Sequence, residues 1–123
     1  MKKEIHFNFK DLIVWQKAID FADAILDISE NLITSKKHFR LIEQIEASVA
    51  SISNIISEGK GRFSNKEFIQ FLYFSRRSLY ETVNLLNVFQ RRNWITKETL
   101  INLEADAFEI VCMIKGLINS LGR

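Results

Sequence analysis

The sequence predicts an all-α protein, an up-down-up-down antiparallel four-helix bundle folded as one domain over residues 1–123. Three observations predict it. Apolar residues recur with a period near 3.6 along the whole chain, the repeat of helices that each bury one face. Proline is absent and glycine occurs only four times, so little interrupts that repeat. The links between periodic segments are about three to five residues long, which brings consecutive helices back antiparallel.

The first helix is expected from about Phe9 to Ile33, with Asn8 as N-cap, Asp11 three residues on, and Leu12, Trp15, Ile19, Ala22, Leu26 and Ile33 facing the core. The second runs from about His38 to Glu58 and turns Leu41, Ile45, Val49, Ile52 and Ile56 inward; Gly59 then supplies a left-handed C-terminal cap. The third has the clearest start. Ser64 and Glu67 form a capping box, and Phe63 is placed to pack on Phe68 as a hydrophobic staple. Its stripe is Phe68, Leu72, Ser75, Leu79, Val83, Leu86 and Phe89, ending near Asn93. The fourth starts at the cap Thr96 and carries Leu100, Leu103, Ala107, Ile110, Ile114, Leu117 and Leu121 to Gly122.

Composition limits the function. Hydrophobic residues make up 47% of the chain and charged residues 26%, which excludes a disordered protein. The longest run without charge, Ala47 to Ser57, is far short of the about 20 apolar residues a membrane span needs. One cysteine, Cys112, cannot form an intramolecular disulfide, and a reducing cytoplasm is the expected location, with Cys112 in the core. The sequence has no His-Glu-x-x-His, Cys-x-x-Cys or Glu-x-x-His pattern, so no metal, cofactor or catalytic residue is expected. Gly59-Lys60-Gly61-Arg62 lacks the spacer and the Lys-Ser/Thr ending of a phosphate loop and reads as a turn. Ser48, Ser51, Ser53 and Ser57 read as small residues that let helices approach closely.

Net charge is only +2, but its distribution is uneven: the first helix carries −3 and the third +3. In an up-down bundle one end gathers Lys36, Lys37, Arg40, Arg91, Arg92 and Lys97, the other gathers Lys2, Lys3, Lys60, Arg62, Lys66 and Arg123, and the carboxylates occupy the waist. These cations are the candidate contacts to nucleic-acid phosphates; helix-dipole complementation is the alternative role for them. The third helix also carries Ile69, Phe71, Tyr73, Phe74 and Tyr80 outside its main stripe. Of these, Phe71, Phe74 and Tyr80 are the candidate surface for a homo-oligomer; the alternative is that this helix is the most central of the four.

Several motifs stand in order along nearly the whole chain: Phe9-Lys10-Asp11-Leu12-Ile13-Val14-Trp15-Gln16-Lys17-Ala18, Gln44-Ile45, Ser51-Ile52, Glu58-Gly59-Lys60-Gly61-Arg62, and Phe68 through Phe71-Leu72 to Ser78-Leu79-Tyr80-Glu81. In these the chain resembles the four-helix bundle family encoded by intervening sequences of bacterial large-subunit ribosomal RNA genes, often labelled S23 ribosomal protein. That family includes the accessory variability determinant of diversity-generating retroelements. The resemblance implies a homopentamer without enzyme activity and, in the retroelement branch, binding to a reverse transcriptase and to nucleic acid. A homo-oligomeric protein scaffold without nucleic acid is the alternative. Among the matching positions, Trp15 is expected as a packing anchor and Glu58 with Arg62 as an ion pair across the turn. The chain departs from the family pattern at Glu46-Ala47, where members often carry Arg-Arg, and at Ile55, with Asn54 one place before the usual Asn.

Overall fold

The structure, a computed structural model, describes residues 2–32 and 38–123. A 3-10 turn at Asn8–Asp11 precedes α1 (Ile13–Glu30), α2 (Phe39–Lys60), α3 (Asn65–Arg91) and α4 (Lys97–Leu121), and no strand occurs among the described residues. Among the described residues no helix is long and apolar enough to cross a membrane.

Side-chain pairs fix the topology. Along α2 and α3, Gln44 and Ser48 meet Glu81 and Thr82, whereas further along α2 the Ile52 carbonyl meets Ser75 and Gly59 faces Phe71 and Phe68, so the two helices run antiparallel. Asn87 with Glu104 and Asn65 with the Leu121 carbonyl make α3 and α4 antiparallel. Lys17 pairs with Glu109 on α4, and Ser29, near the end of α1, reaches Glu46 on α2. Each helix packs on its two neighbours in the cycle α1–α2–α3–α4. Among the described residues no Cα of α1 comes within 8 Å of one in α3, so the two stand diagonally opposite.

The buried side chains form one core that includes Ile25, Ile45, Val49, Ile52, Ile56, Leu72, Leu79, Leu86, Leu100, Ile110 and Ile114. Three helix starts follow two rules. Ser64 Oγ accepts the Glu67 amide at 3.1 Å and donates to the Glu67 carboxylate at 3.2 Å, and Thr96 Oγ1 accepts the Thr99 amide at 3.1 Å. These two hydroxyls satisfy amides that the first turn leaves without a partner. The first helix starts otherwise. Asp11 pairs with His6 at 2.8 Å, and Leu12 is extended (φ −72°, ψ 121°), so α1 begins at Ile13 without a side-chain cap.

The register of α1 also differs from the expected one. Its buried residues are Val14, Ala18, Phe21, Ala22, Ile25 and Ser29, whereas Ile19 is 39% exposed and Leu12, Trp15 and Leu26 are half-buried. Two apolar stripes lie one residue, or about 100°, apart on this helix. The stripe with three small residues is the one that lets α2 and α4 close on it. Ile33 lies outside the described residues. On α4 the stripe is as expected from Leu100 to Ile114, with Leu117 and Leu121 half-buried. Cys112 is exposed rather than in the core, because it follows Ile110 by two residues and so faces away from the stripe.

Gly59 is not a left-handed cap. It lies inside α2, is buried, and has no positive φ. A Cβ placed there would lie 2.7 Å from Phe71 Cβ and 2.9 Å from Phe68 Cδ1, so Gly59 permits a close crossing of α2 and α3. Phe68 is thereby held against α2. Phe63 is fully exposed and makes no staple with it. Among the described residues the only one with positive φ is Asn93 (φ 61°), just after the end of α3.

Candidate interaction surfaces

Helix α3 buries Phe68, Leu72, Ser75, Leu79, Thr82, Leu85, Leu86 and Phe89, and the same 3.6-residue repeat turns Tyr73, Arg77 and Tyr80 to the outside. Tyr73 is 46% and Tyr80 62% exposed. Their neighbours are cations held on rings: the Arg76 guanidinium lies 5.0 Å from the Tyr73 ring centre and that of Arg77 lies 5.3 Å from Phe74. Tyr73, Phe74, Arg76, Arg77 and Tyr80 together line an open depression of about 500 Å³. Beside it, Tyr80 and Val83 of α3 and Phe108 and Val111 of α4 border an apolar cleft of about 220 Å³, where Phe108 is 67% exposed.

Phe71 is more internal than its neighbours. It is half-buried, faces Gly59, lies 5.9 Å from Phe74 between ring centres, and carries the Arg62 guanidinium 4.4 Å above it. Arg62 therefore stacks on an aromatic ring instead of forming the expected ion pair with Glu58. Of the three aromatic residues singled out by sequence, Phe74 and Tyr80 belong to the outer face and Phe71 to the seam with α2. Tyr73, Arg76 and Arg77 complete the face. Their 73/76/77/80 spacing was the available signal, since these positions share one side of a helix.

The outer face of α1 has the opposite chemistry. Asp20, Asp23, Asp27 and Glu30 follow one another at intervals of three or four residues and are all exposed. No ion pair joins any of them to a cation among the described residues. The carboxylates thus form a lengthwise stripe on one side rather than a girdle at the waist. Because α1 and α3 are diagonal, charge is divided across the bundle as well as along it.

At the ends, topology brings Arg40, Arg91, Arg92 and Lys97 together where α2 and α4 begin and α3 ends, all of them exposed. Lys36 and Lys37 lie outside the described residues. The other end presents exposed Arg62 and Lys66 and a half-buried Lys60. Glu46, at the point of departure from the family pattern, accepts the Ser29 hydroxyl at 2.7 Å and ties α1 to α2. Gln44 and Glu81, two of the matching positions, bond to each other at 3.1 Å. Among the described residues, no three His, Cys, Asp or Glu side chains converge as metal ligands.

Comparison with known proteins agrees with this architecture. No curated protein matches the chain. Among the solved structures that match is a protein of unknown function from the S23 ribosomal protein family of Bacteroides thetaiotaomicron VPI-5482, which is 28% identical. The match covers 86% of this chain and 98% of that one, with a TM-score of 0.79. The family model described as 23S rRNA-intervening sequence protein matches residues 10–116, which hold all four helices but the last turn of α4. On that match the chain belongs to the family of 23S rRNA-intervening sequence proteins.

Proposed function

We propose that this chain is a cytoplasmic, non-catalytic, homo-oligomeric binding protein whose basic ends contact nucleic-acid phosphates. The supporting observation is the meeting of exposed Arg40, Arg91, Arg92 and Lys97 at one end of the bundle, with none of them held in an ion pair among the described residues. Oligomerisation multiplies that patch. Several copies carrying four cations each supply the density of charge that a monomer with a net +2 lacks.

Electrophoretic titration with a structured RNA and with duplex DNA, from about 50 to 200 mM salt, tests the reading. Affinity should fall as salt rises, in proportion to the phosphates contacted. Changing Arg40, Arg91, Arg92 and Lys97 to Gln should reduce both affinity and salt slope while helicity is unchanged. If only the Arg62 and Lys66 variants weaken binding, the opposite end is the contact. No binding at low salt favours the scaffold alternative, which the ring-stacked arginines of α3 also support. In the retroelement reading, a reverse transcriptase would co-purify with the assembled form.

A further inference from the structure

We infer that the arginine-aromatic face of α3 in one copy of this chain seats the acidic face of α1 from the next copy. The inference deepens the homo-oligomeric reading above and rests on it.

Both faces have what the other lacks. Arg76 and Arg77 are positioned in advance by their stacking on Tyr73 and Phe74, so little side-chain freedom would be lost when a carboxylate arrives. Asp20, Asp23 and Asp27 offer carboxylates without a described cationic partner. Ile19, exposed beside them, gives the rings an apolar surface to meet. Tyrosine and arginine are the residue types that dominate binding energy at interfaces.

Position agrees with chemistry. Ser29 of α1 is bonded to Glu46 of α2, and the neighbouring α2 residues Gln44 and Ser48 are bonded to Glu81 and Thr82 of α3. The arginine pair lies just over a turn before Glu81, and Asp23 and Asp27 lie within two turns before Ser29. Both sets therefore stand at the middle of the bundle. Rotation about an axis parallel to the helices would set one against the other, in parallel and at matching height. Since the two faces are different and diagonal, the contact is head-to-tail, and it repeats from copy to copy instead of ending at a dimer.

Light scattering after size exclusion, with circular dichroism as the control for folding, tests this on four forms of the full chain. The unaltered protein should be several times its 14.4 kDa chain mass. Arg76→Glu with Arg77→Glu should weaken assembly at least about tenfold, as should Asp20→Lys with Asp23→Lys and Asp27→Lys, because each places like charges in contact. All five changes in one chain should restore assembly. An assembled protein that is indifferent to either set overturns the inference and leaves the oligomeric reading standing. Failure of the fivefold variant to recover, when both partial sets dissociate and all forms remain helical, also overturns the pairing. An unaltered protein that is monomeric at micromolar concentration removes the oligomeric reading itself.

Discussion

The seam between α2 and α3 and the seam between α1 and α4 are built on different principles, and each contains a glycine that shows the difference. At Gly59 the facing helix is so near that a methyl group would overlap Phe71 Cβ. Above it the seam is joined by buried polar contacts, with Ser75 donating to the Ile52 carbonyl at 2.8 Å and a 2.9 Å bond between Ser48 and Thr82. One of those two hydroxyls donates to the other, and the acceptor is free to donate to its own helix, at Ile45 or Ser78. A methyl placed at Gly116 would meet nothing within 4 Å beyond its own helix backbone, and the residue borders an open cleft with Ile13, Val14 and Met113. The α1–α4 seam has one ion pair, Lys17 to Glu109 at 3.2 Å, with both side chains about half exposed. Small residues and buried hydroxyls thus determine which pair of helices packs most closely.

The comparison is tested most severely at Gly59. Gly59→Ala should destabilise the protein by up to about 2 kcal/mol: overpacking costs about 1–3 kcal/mol, toward the upper end where a methyl would lie 2.7 Å from a neighbouring Cβ, against a gain of about 1 kcal/mol in helix propensity. A lower thermal midpoint checks it, and an unchanged one would mean that the helices separate freely. Thr82→Val keeps the shape but removes the partner of Ser48, and should cost about 1 kcal/mol in a urea titration. Gly116→Ala should act in the opposite direction and raise stability by up to about 1 kcal/mol, since the added methyl meets only open space. The smallest effect is expected for Lys17→Met, within about 0.5 kcal/mol, because solvent screens an exposed pair.

The features legible in the sequence are those determined within a few residues. Ser64 with Glu67, and Thr96, mark helix starts because a hydroxyl capping an amide three residues ahead needs no other part of the chain. The stripes of α2, α3 and α4 were legible because each has one dominant apolar row. On α1 two rows compete, and the choice falls to the one whose small residues fit the neighbouring helices, which the helix alone does not encode. Gly59 poses the same difficulty: near a helix end, a glycine that allows a positive φ and one that allows close approach look alike in sequence. Of the candidate sites, the gathering of cations at the ends follows from topology alone. The division of charge across the bundle required knowing which rows face outward and that α1 and α3 are diagonal.

That diagonal placement has a consequence for shape. Copies joined face to face through opposite corners of a square would line up in a straight row, and closing such a row into a ring of five requires each junction to bend by about 72°. In the proposed contact, that bend would depend on the flanks of α3. Phe74 lies toward α2, next to Phe71, and Tyr80 lies toward α4, beside Phe108. In the proposed assembly, the more deeply buried flank would set the direction in which the row curves. Substitutions at Phe74 and Tyr80 would then act on curvature and on the number of copies at closure, while the Arg76 and Arg77 charges would act on whether copies join at all.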